Sequence, residues 1–350
     1  MKINLEELRK REKYIHEQKH YDLNLIIWNY NNPCQFDGAW DEYSTQTRGL
    51  ITDSEGNIIA RPFKKFFNIG EKEDTKIEKL PLEIPEITEK IDGSLGIQYY
   101  VGDRVFLSTR GSFNSEQAIF GTKFMERFKK SDFKEGFTYL YEIIYPKNRI
   151  VVDYKGKKEC VLLAVIETET GKEIDFREEA KRLGLNCAKR VNSTIEKLIE
   201  LLPSLTSDEE GFVAKYNNGL RIKMKGNEYI RLHRLITRFS TISIWDCLRN
   251  NQKIEEFLSG VPDEFYEWVK NKKKELEDNF NGFYEKAKMG FNKVKNLPDR
   301  KSQALKIMKD YKEISSAIFG LLDEKDISEI LWKKLRPKFE LPFKTDIDTN

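Results

Sequence analysis

The chain has 350 residues, enough for two domains or for one large domain with an appendage. Charged residues make up 34% and aromatics 12%, and 61 basic against 58 acidic residues leave a net charge of only +3. That balance excludes a disordered chain and a bulk polycation, so any nucleic-acid contact must come from local patches.

Residues 3–18 mix charge with Leu5, Leu8, Tyr14 and Ile15 and read as a surface helix. Short β-like runs follow at 23–30, 49–52, 57–60, 84–91, 95–100, 105–109, 139–144 and 161–166, with hairpin turns at 53–56 and 102–104. Helical spacing appears at 115–130, 176–183 and 194–202. Strands return at 212–216 and 220–224 around the turn Asn217-Asn218-Gly219. Beyond Gly226 the β texture stops. Segments 254–258, 263–280, 283–294, 302–322 and 326–335 are helical in pattern and rich in Lys and Glu, with an extended or frayed tail from Pro337. The predicted fold is α+β: a domain of mostly antiparallel sheets with flanking helices over residues 1–226, then an all-α domain over 227–350 without the strand alternation of an OB domain.

Cys34, Cys160, Cys187 and Cys247 lie far apart with no CxxC pair, which argues against a disulfide framework or a zinc site of the usual spacing. His16, His20 and His233 are too few for a histidine-based metal or triad enzyme. The amino-terminal run does not resemble a signal peptide, and no apolar stretch nears the roughly 20 residues that span a bilayer. A reducing, cytoplasmic setting is expected.

The sharpest local feature is Lys90-Ile91-Asp92-Gly93. On an extended segment Lys90 and Asp92 share a face, and Gly93 permits a tight turn into the next strand. A lysine there becomes a nucleophile if burial or neighbouring cations strip its proton; alone, the pattern is equally a polar strand end before a turn. Arg48, Lys65, Glu142 and Glu210 stand in separate segments around it, and alternation puts Arg221, Lys223 and Lys225 on one face, suited to phosphate oxygens. Taken singly, each also reads as a solvated surface residue.

In order, these elements resemble the covalent nucleotidyltransferases, and most closely the phage RNA ligase 1 family. The resemblance rests on Asn29-Tyr30, Arg48-Gly49, the segment 61–68, Lys90–Gly93, Ser108–Ser112 with 115–118, Tyr141-Glu142 leading to 146–151, Glu210–Val213, Lys223–Lys225, and Tyr229 with Leu232-His233. It covers about 25–235, with weaker traces to about 270. It implies an adenylyltransferase domain and an ATP-dependent, AMP-forming RNA ligase. Lys90 would attack the α-phosphorus of ATP, pass AMP to a 5′-phosphate RNA end, and a 3′-hydroxyl would then seal the junction.

By that resemblance Lys223 lies near the α-phosphate, and Arg48, Lys65 and Lys225 lie toward the β- and γ-phosphates. Arg110 stands where the family carries lysine and is a less direct phosphate or RNA contact. Asp92, Glu142 and Glu210 supply negative charge for Mg²⁺ or Mn²⁺, held through waters. Asp263 and Glu264 fall where the family places an acidic pair near metal; equally, they are favourable acids at a helix start. The implied partner is RNA, a broken tRNA being one candidate, with separate end-healing enzymes as further candidates, no membrane, and a monomer favoured. The competing readings are a tRNA-splicing type of ligase that demands a 2′-phosphate, and a non-catalytic RNA-end-binding protein; the presence of Lys90 and the carboxylates speaks against the latter.

Overall fold

The computed structural model describes residues 2–342 apart from 259, 260 and 262, and the backbone alone at 238, 256, 263 and 264. One compact unit ends at Arg231 and a second begins at Leu232.

In the first unit α1 (Leu5–Arg9) leads into β1 (Ile15–Lys19) and β2 (Ile26–Tyr30). The short helices α2 (Asn32–Asp37) and α3 (Glu42–Gln46) precede β3 (Arg48–Thr52) and β4 (Ile58–Ala60). Then come β5 (Phe67–Asn68), β6 (Glu86–Lys90), β7 (Ser94–Val101), β8 (Arg104–Ser108), α4 (Glu116–Met125), β9 (Phe137–Ile144), β10 (Glu159–Glu167) and β11 (Glu173–Ile174). The helices α5 (Phe176–Leu183) and α6 (Ile195–Leu201) lead to β12 (Gly211–Lys215) and β13 (Arg221–Lys225). The strands form three sheets, ordered β1-β2-β3-β4, β11-β10-β9-β7-β8 and β5-β13-β12-β6. All pairings are antiparallel except β13 with β5.

The first two sheets share a core in which Ile27, Ile51 and Phe63 meet Ile97, Tyr99 and Leu140. The third sheet positions the site. One face, carrying Ile87, Phe212, Ala214, Ile222 and Met224, is buried with Ile195 and Leu198 of α6. Each such side chain contributes about 1.5–3 kcal/mol on burial. Strand alternation then forces the opposite face to carry Lys90, Thr88 and Glu86 on β6, Val213 and Lys215 on β12, and Arg221, Lys223 and Lys225 on β13. The register aligns them in rows: Lys90, Gly211 and Lys225; Thr88, Val213 and Lys223; Glu86, Lys215 and Arg221.

After Lys225 the described elements are helical: α7 (Asn227–Arg238), α8 (Thr241–Arg249), α9 (Asp263–Val294), α10 (Arg300–Asp310), α11 (Ser315–Leu322) and α12 (Ser328–Lys334), with short 3₁₀ turns. Among the described residues none is in a strand there. The second unit has its own core, with Ala287, Val294, Ile307, Ile318 and Leu331 buried together.

Three expectations are corrected. The helix expected over 3–18 ends at Arg9, because Ile15–Lys19 pairs along β2 instead, Ile15 opposite Tyr30. The separate helices expected at 263–280 and 283–294 are one, α9. Gly282 costs roughly 1 kcal/mol inside a helix, but Phe280, Phe283, Tyr284, Ala287 and Phe291 keep one apolar stripe running through it into the core. The single helix expected at 302–322 is broken by a 3₁₀ turn at Lys312–Ile314. The four cysteines are free, and among the described residues no helix is long and apolar enough to cross a membrane.

Candidate active site

Lys90 ends β6, and its Nζ lies 2.7 Å from Glu210 Oε2. The other oxygen of Glu210 lies 2.9 Å from Lys225 Nζ. Glu210 is 2% exposed, so one buried carboxylate clamps both ammonium groups. Burial alone would lower the Lys90 ammonium, but Glu210 and Glu142 outweigh it and hold the group above its ordinary value. Burial likewise pushes Glu210 up, and Lys90 and Lys225 bring it back below the usual carboxylate range. In this state Lys90 is a protonated, clamped lysine. The condition for a nucleophilic lysine, loss of its proton, is not met without a ligand, because the carboxylates around Lys90 outweigh its desolvation.

Two glycines make the clamp possible. A Cβ on Gly93 would lie 2.6 Å from Ile143 O and 3.1 Å from Glu142 Cγ. Only glycine lets the turn after Lys90 press against β9, where Glu142 sits. Gly211 has φ +138°, and a Cβ there would lie 2.0 Å from Met224 O; its left-handed backbone is what sets Glu210 between the two lysines.

Glu142 is buried, and desolvation, with help from Glu210 and Asp92, pushes its carboxyl to about 8 despite Lys90 and Arg48. Asp92 is differently placed. Its Oδ2 accepts the N–H groups of Val151 and Val152 at 2.9 and 3.0 Å, and its Oδ1 accepts Tyr229 Oη at 2.8 Å. Its backbone N–H donates to Tyr154 Oη. These contacts commit Asp92 to holding the turn after Lys90 against the 151–154 segment and the first turn of α7. Tyr154 and Tyr229 are the partners that sequence reasoning left without a role; a buried acid next to a nucleophile was the signal to look for them.

The second half of the site is a group of cations. Arg110 Nη1 donates to Tyr30 Oη at 3.2 Å. Lys65 Nζ lies 5.0 Å from the Trp40 ring centroid and 5.3 Å from those of Tyr30 and Phe67. Arg48 and Lys223 both face Phe66, at 5.7 and 5.9 Å. Among the described residues none of Arg48, Lys65, Arg110 and Lys223 has a carboxylate within salt-bridge distance. Burial, then the charges of Lys65, Lys225, Lys90 and Arg48, lower Lys223 to about 7. Burial would raise the Tyr30 phenol, yet Arg48, Arg110 and Lys65 bring it below its ordinary value.

Arg221 departs from the expected phosphate-binding face. Its guanidinium is 2.6 Å from Glu173 Oε2, which also holds Lys215 at 3.0 Å. It therefore lines a cavity of about 200 Å³ that runs along the same face of the sheet from Thr88 and Val213 to Leu163, Phe176 and Arg177. The side chains of Asp263 and Glu264 lie outside the described residues.

Among the described residues no group of three His, Cys, Asp or Glu is arranged to cage a metal. The donor set instead suits a hydrated cation: Glu142 keeps a carboxylate without a hydrogen bond from another described residue, and Glu210 lies next to it in the electrostatics of the site. Mg²⁺ retains waters and takes one or two carboxylates.

A nucleophile candidate, buried carboxylates and a group of cations without a counter-charge among the described residues make a site suited to an extended polyphosphate. The RNA ligase family profile matches residues 46–229, and the chain belongs to that family: it is an enzyme that joins RNA. It is 26% identical to a Thermovibrio ammonificans protein whose RNA ligase name is provisional, over 99% of this chain and 88% of that one. It is also 26% identical to the RNA ligase of Rhodothermus phage RM378, over 86% of this chain and 85% of that one. Among solved structures it aligns with Naegleria gruberi RNA ligase with PPi at TM-score 0.34 and 20% identity, over 43% of this chain and 51% of that one.

Proposed function

We propose that the chain seals 5′-phosphate to 3′-hydroxyl RNA ends with ATP, through a lysyl-AMP at Lys90 and an RNA-adenylate, in the repair of broken RNA such as tRNA. The observation that carries this reading is the division of the site. Lys90 sits clamped at Glu210, and the row of cations from Lys223 through Lys65 to Arg48 and Arg110 is open to a polyanion. An ATP whose base enters the cavity lined by Leu163 and Val213 lays its α-phosphate between Lys90 and Lys223. Its β- and γ-phosphates then meet Lys65, Arg48 and Arg110. In-line transfer needs this positioning and charge neutralisation more than covalent help.

Lys90 must lose its proton before it attacks. Glu210 and Glu142 are the residues that would hold a divalent cation, Mg²⁺ or Mn²⁺, and it would supply charge that competes with the Lys90 ammonium for them. Lys225 remains to neutralise Glu210 or to meet phosphate. Asp92 acts as a positioning residue through its hydrogen bonds. Residues 1–226 make the adenylyltransferase domain, and 227–350 an all-helical domain in place of an OB domain. A cytoplasmic monomer that works beside end-healing enzymes fits this reading.

The test is covalent labelling. Wild type and Lys90→Ala are incubated with Mg²⁺ and ATP labelled at the α-phosphate, after any AMP already bound is discharged with pyrophosphate. Acid-labile label on wild type and none on the variant supports the reading; no label on wild type removes it.

A further inference from the structure

The cation row contains two polar atoms that nothing in the fold satisfies. Asn29 Oδ1 and Arg48 Nη1 are both shut off from solvent and have no hydrogen-bond partner among the described residues. Their residues are partners where β2 pairs with β3, just after a shift of register at Trp28. A buried polar atom left unpaired is unfavourable, because it has lost its water without gaining a partner. Gly111 borders this corner, where an added Cβ would lie 3.6 Å from Asn29 Nδ2, and the neighbouring Arg110 is tied to Tyr30.

The two atoms differ in kind. Arg48 Nη1 is a donor and Asn29 Oδ1 an acceptor. The oxygens of a triphosphate or phosphodiester accept but carry no proton at neutral pH, so they answer Arg48 and leave Asn29 unpaired. A hydroxyl accepts and donates, and answers both. The ribose of ATP is poorly placed to supply it. The base cavity borders the third sheet at Thr88 and Val213, whereas Asn29 lies on the first sheet, beyond Arg48. The other hydroxyls that come to this site belong to the RNA being joined, and the 2′-hydroxyl separates RNA from DNA.

We propose that Asn29, together with Arg48, binds a ribose 2′-hydroxyl at one of the RNA ends being sealed, which makes Asn29 a determinant of RNA over DNA. This rests on the ligase reading above. Asn29 Oδ1 accepts the hydroxyl proton, and the hydroxyl oxygen accepts from Arg48.

The experiment compares sealing of matched substrates by wild type and Asn29→Ala. The ends are all-RNA, or carry a 2′-deoxy or 2′-fluoro group at the 3′-hydroxyl nucleotide alone or at the 5′-phosphate nucleotide alone. Labelling of Lys90 by ATP and by 2′-deoxy-ATP is measured in parallel. Wild type is expected to lose about tenfold at one 2′-deoxy position, the worth of one well-made hydrogen bond. It should lose as much with 2′-fluoro, which keeps the RNA-like sugar shape but cannot donate. Asn29→Ala is expected to lose that factor on all-RNA ends, to show no further loss on the modified ends, and to label as wild type does with both nucleotides.

Wild-type sealing of 2′-fluoro ends at the all-RNA rate overturns the proposal without any variant, so a failure of Asn29→Ala to fold does not shelter it. So does a folded Asn29→Ala that keeps the full 2′-deoxy penalty. A folded Asn29→Ala that no longer labels Lys90 also overturns it, and assigns Asn29 to the nucleotide or a metal-bound water instead. Absence of wild-type labelling would sink the ligase reading itself, whereas normal labelling and sealing without a 2′ effect sinks only this inference.

Discussion

The two halves of the site carry similar positive charge in opposite conditions. Around Glu210, Lys90 and Lys225 are neutralised by one buried carboxylate at 2.7 and 2.9 Å. Across the sheet, Arg48, Lys65, Arg110 and Lys223 face aromatic rings and one another. The first half is settled and must be unlocked before it reacts. The second is held together against its own repulsion and is relieved by an incoming polyanion. Local charge of one sign therefore says little about chemistry until the counter-charge is located. Under the proposed function, that distinction casts Lys90 as the nucleophile to be released and Lys223 as a phosphate contact.

The comparison breaks most severely at Glu210. Glu210→Gln leaves two buried ammonium groups facing a neutral amide, and removing one partner of a buried pair costs roughly 3–5 kcal/mol. A large fall in melting temperature and loss of Lys90 labelling are expected, measured by calorimetry and by the labelling assay.

Lys223→Met acts in the opposite direction on stability. Lys223 sits at about 7 in the folded chain and near its ordinary 10.5 when unfolded. Between those values the unfolded chain binds more protons, so the folded state gains stability as pH rises through that window and bears the full cost below about 7. The variant should be more stable than wild type at pH 6, by up to roughly 5 kcal/mol for a shift of that size, with the gain fading toward pH 10. Its ATP labelling should fall steeply all the same. Denaturant melts at the two pH values check the sign, and a gain that grows with pH would refute it. In wild type, phosphate binding should draw a proton onto Lys223, so ATP affinity should weaken as pH rises above about 7.

Tyr30→Phe removes the oxygen on which Arg110 rests while keeping the ring beside Lys65. One hydrogen bond to a charged group is worth about 1.5–3 kcal/mol. An increase of about tenfold or more in the ATP concentration for half-maximal labelling is expected, with a fall of a few degrees in the melting temperature. The smallest effect belongs to Arg221→Gln. Since Arg221 is spoken for by Glu173, labelling should stay within about threefold of wild type, and stability should drop by about 1–3 kcal/mol, because the largely buried Glu173 loses one charged partner and keeps Lys215. A loss of labelling as deep as that of Lys223→Met would place Arg221 back among the phosphate contacts.

Much of this was legible along the chain. Alternation in Arg221–Lys225 assigned Ile222 and Met224 to one face and the cations to the other, because a strand has a period of two. The Lys90–Gly93 turn was readable from Gly93 as a turn residue, whereas the close approach of Gly93 to Ile143 O was not. Less legible was Ile15–Lys19, whose charge pattern suits a helix and whose conformation is set by a neighbour, β2. Gly282 read as a break, and the core along α9 overrode it.

From the sequence alone came the order of the chemical groups, the faces of the strands and the family they belong to, since these depend on neighbours a few residues apart. Tertiary structure alone decided which charges are neutralised. Glu210 chooses Lys90 and Lys225, Glu173 takes Arg221, Asp92 is absorbed by Tyr229 and the 151–152 backbone, and Asn29 Oδ1 and Arg48 Nη1 are left without a partner among the described residues. Hydrogen bonds and ion pairs of that kind form within about 3 Å between residues tens to more than a hundred positions apart, and no local pattern encodes such a distance.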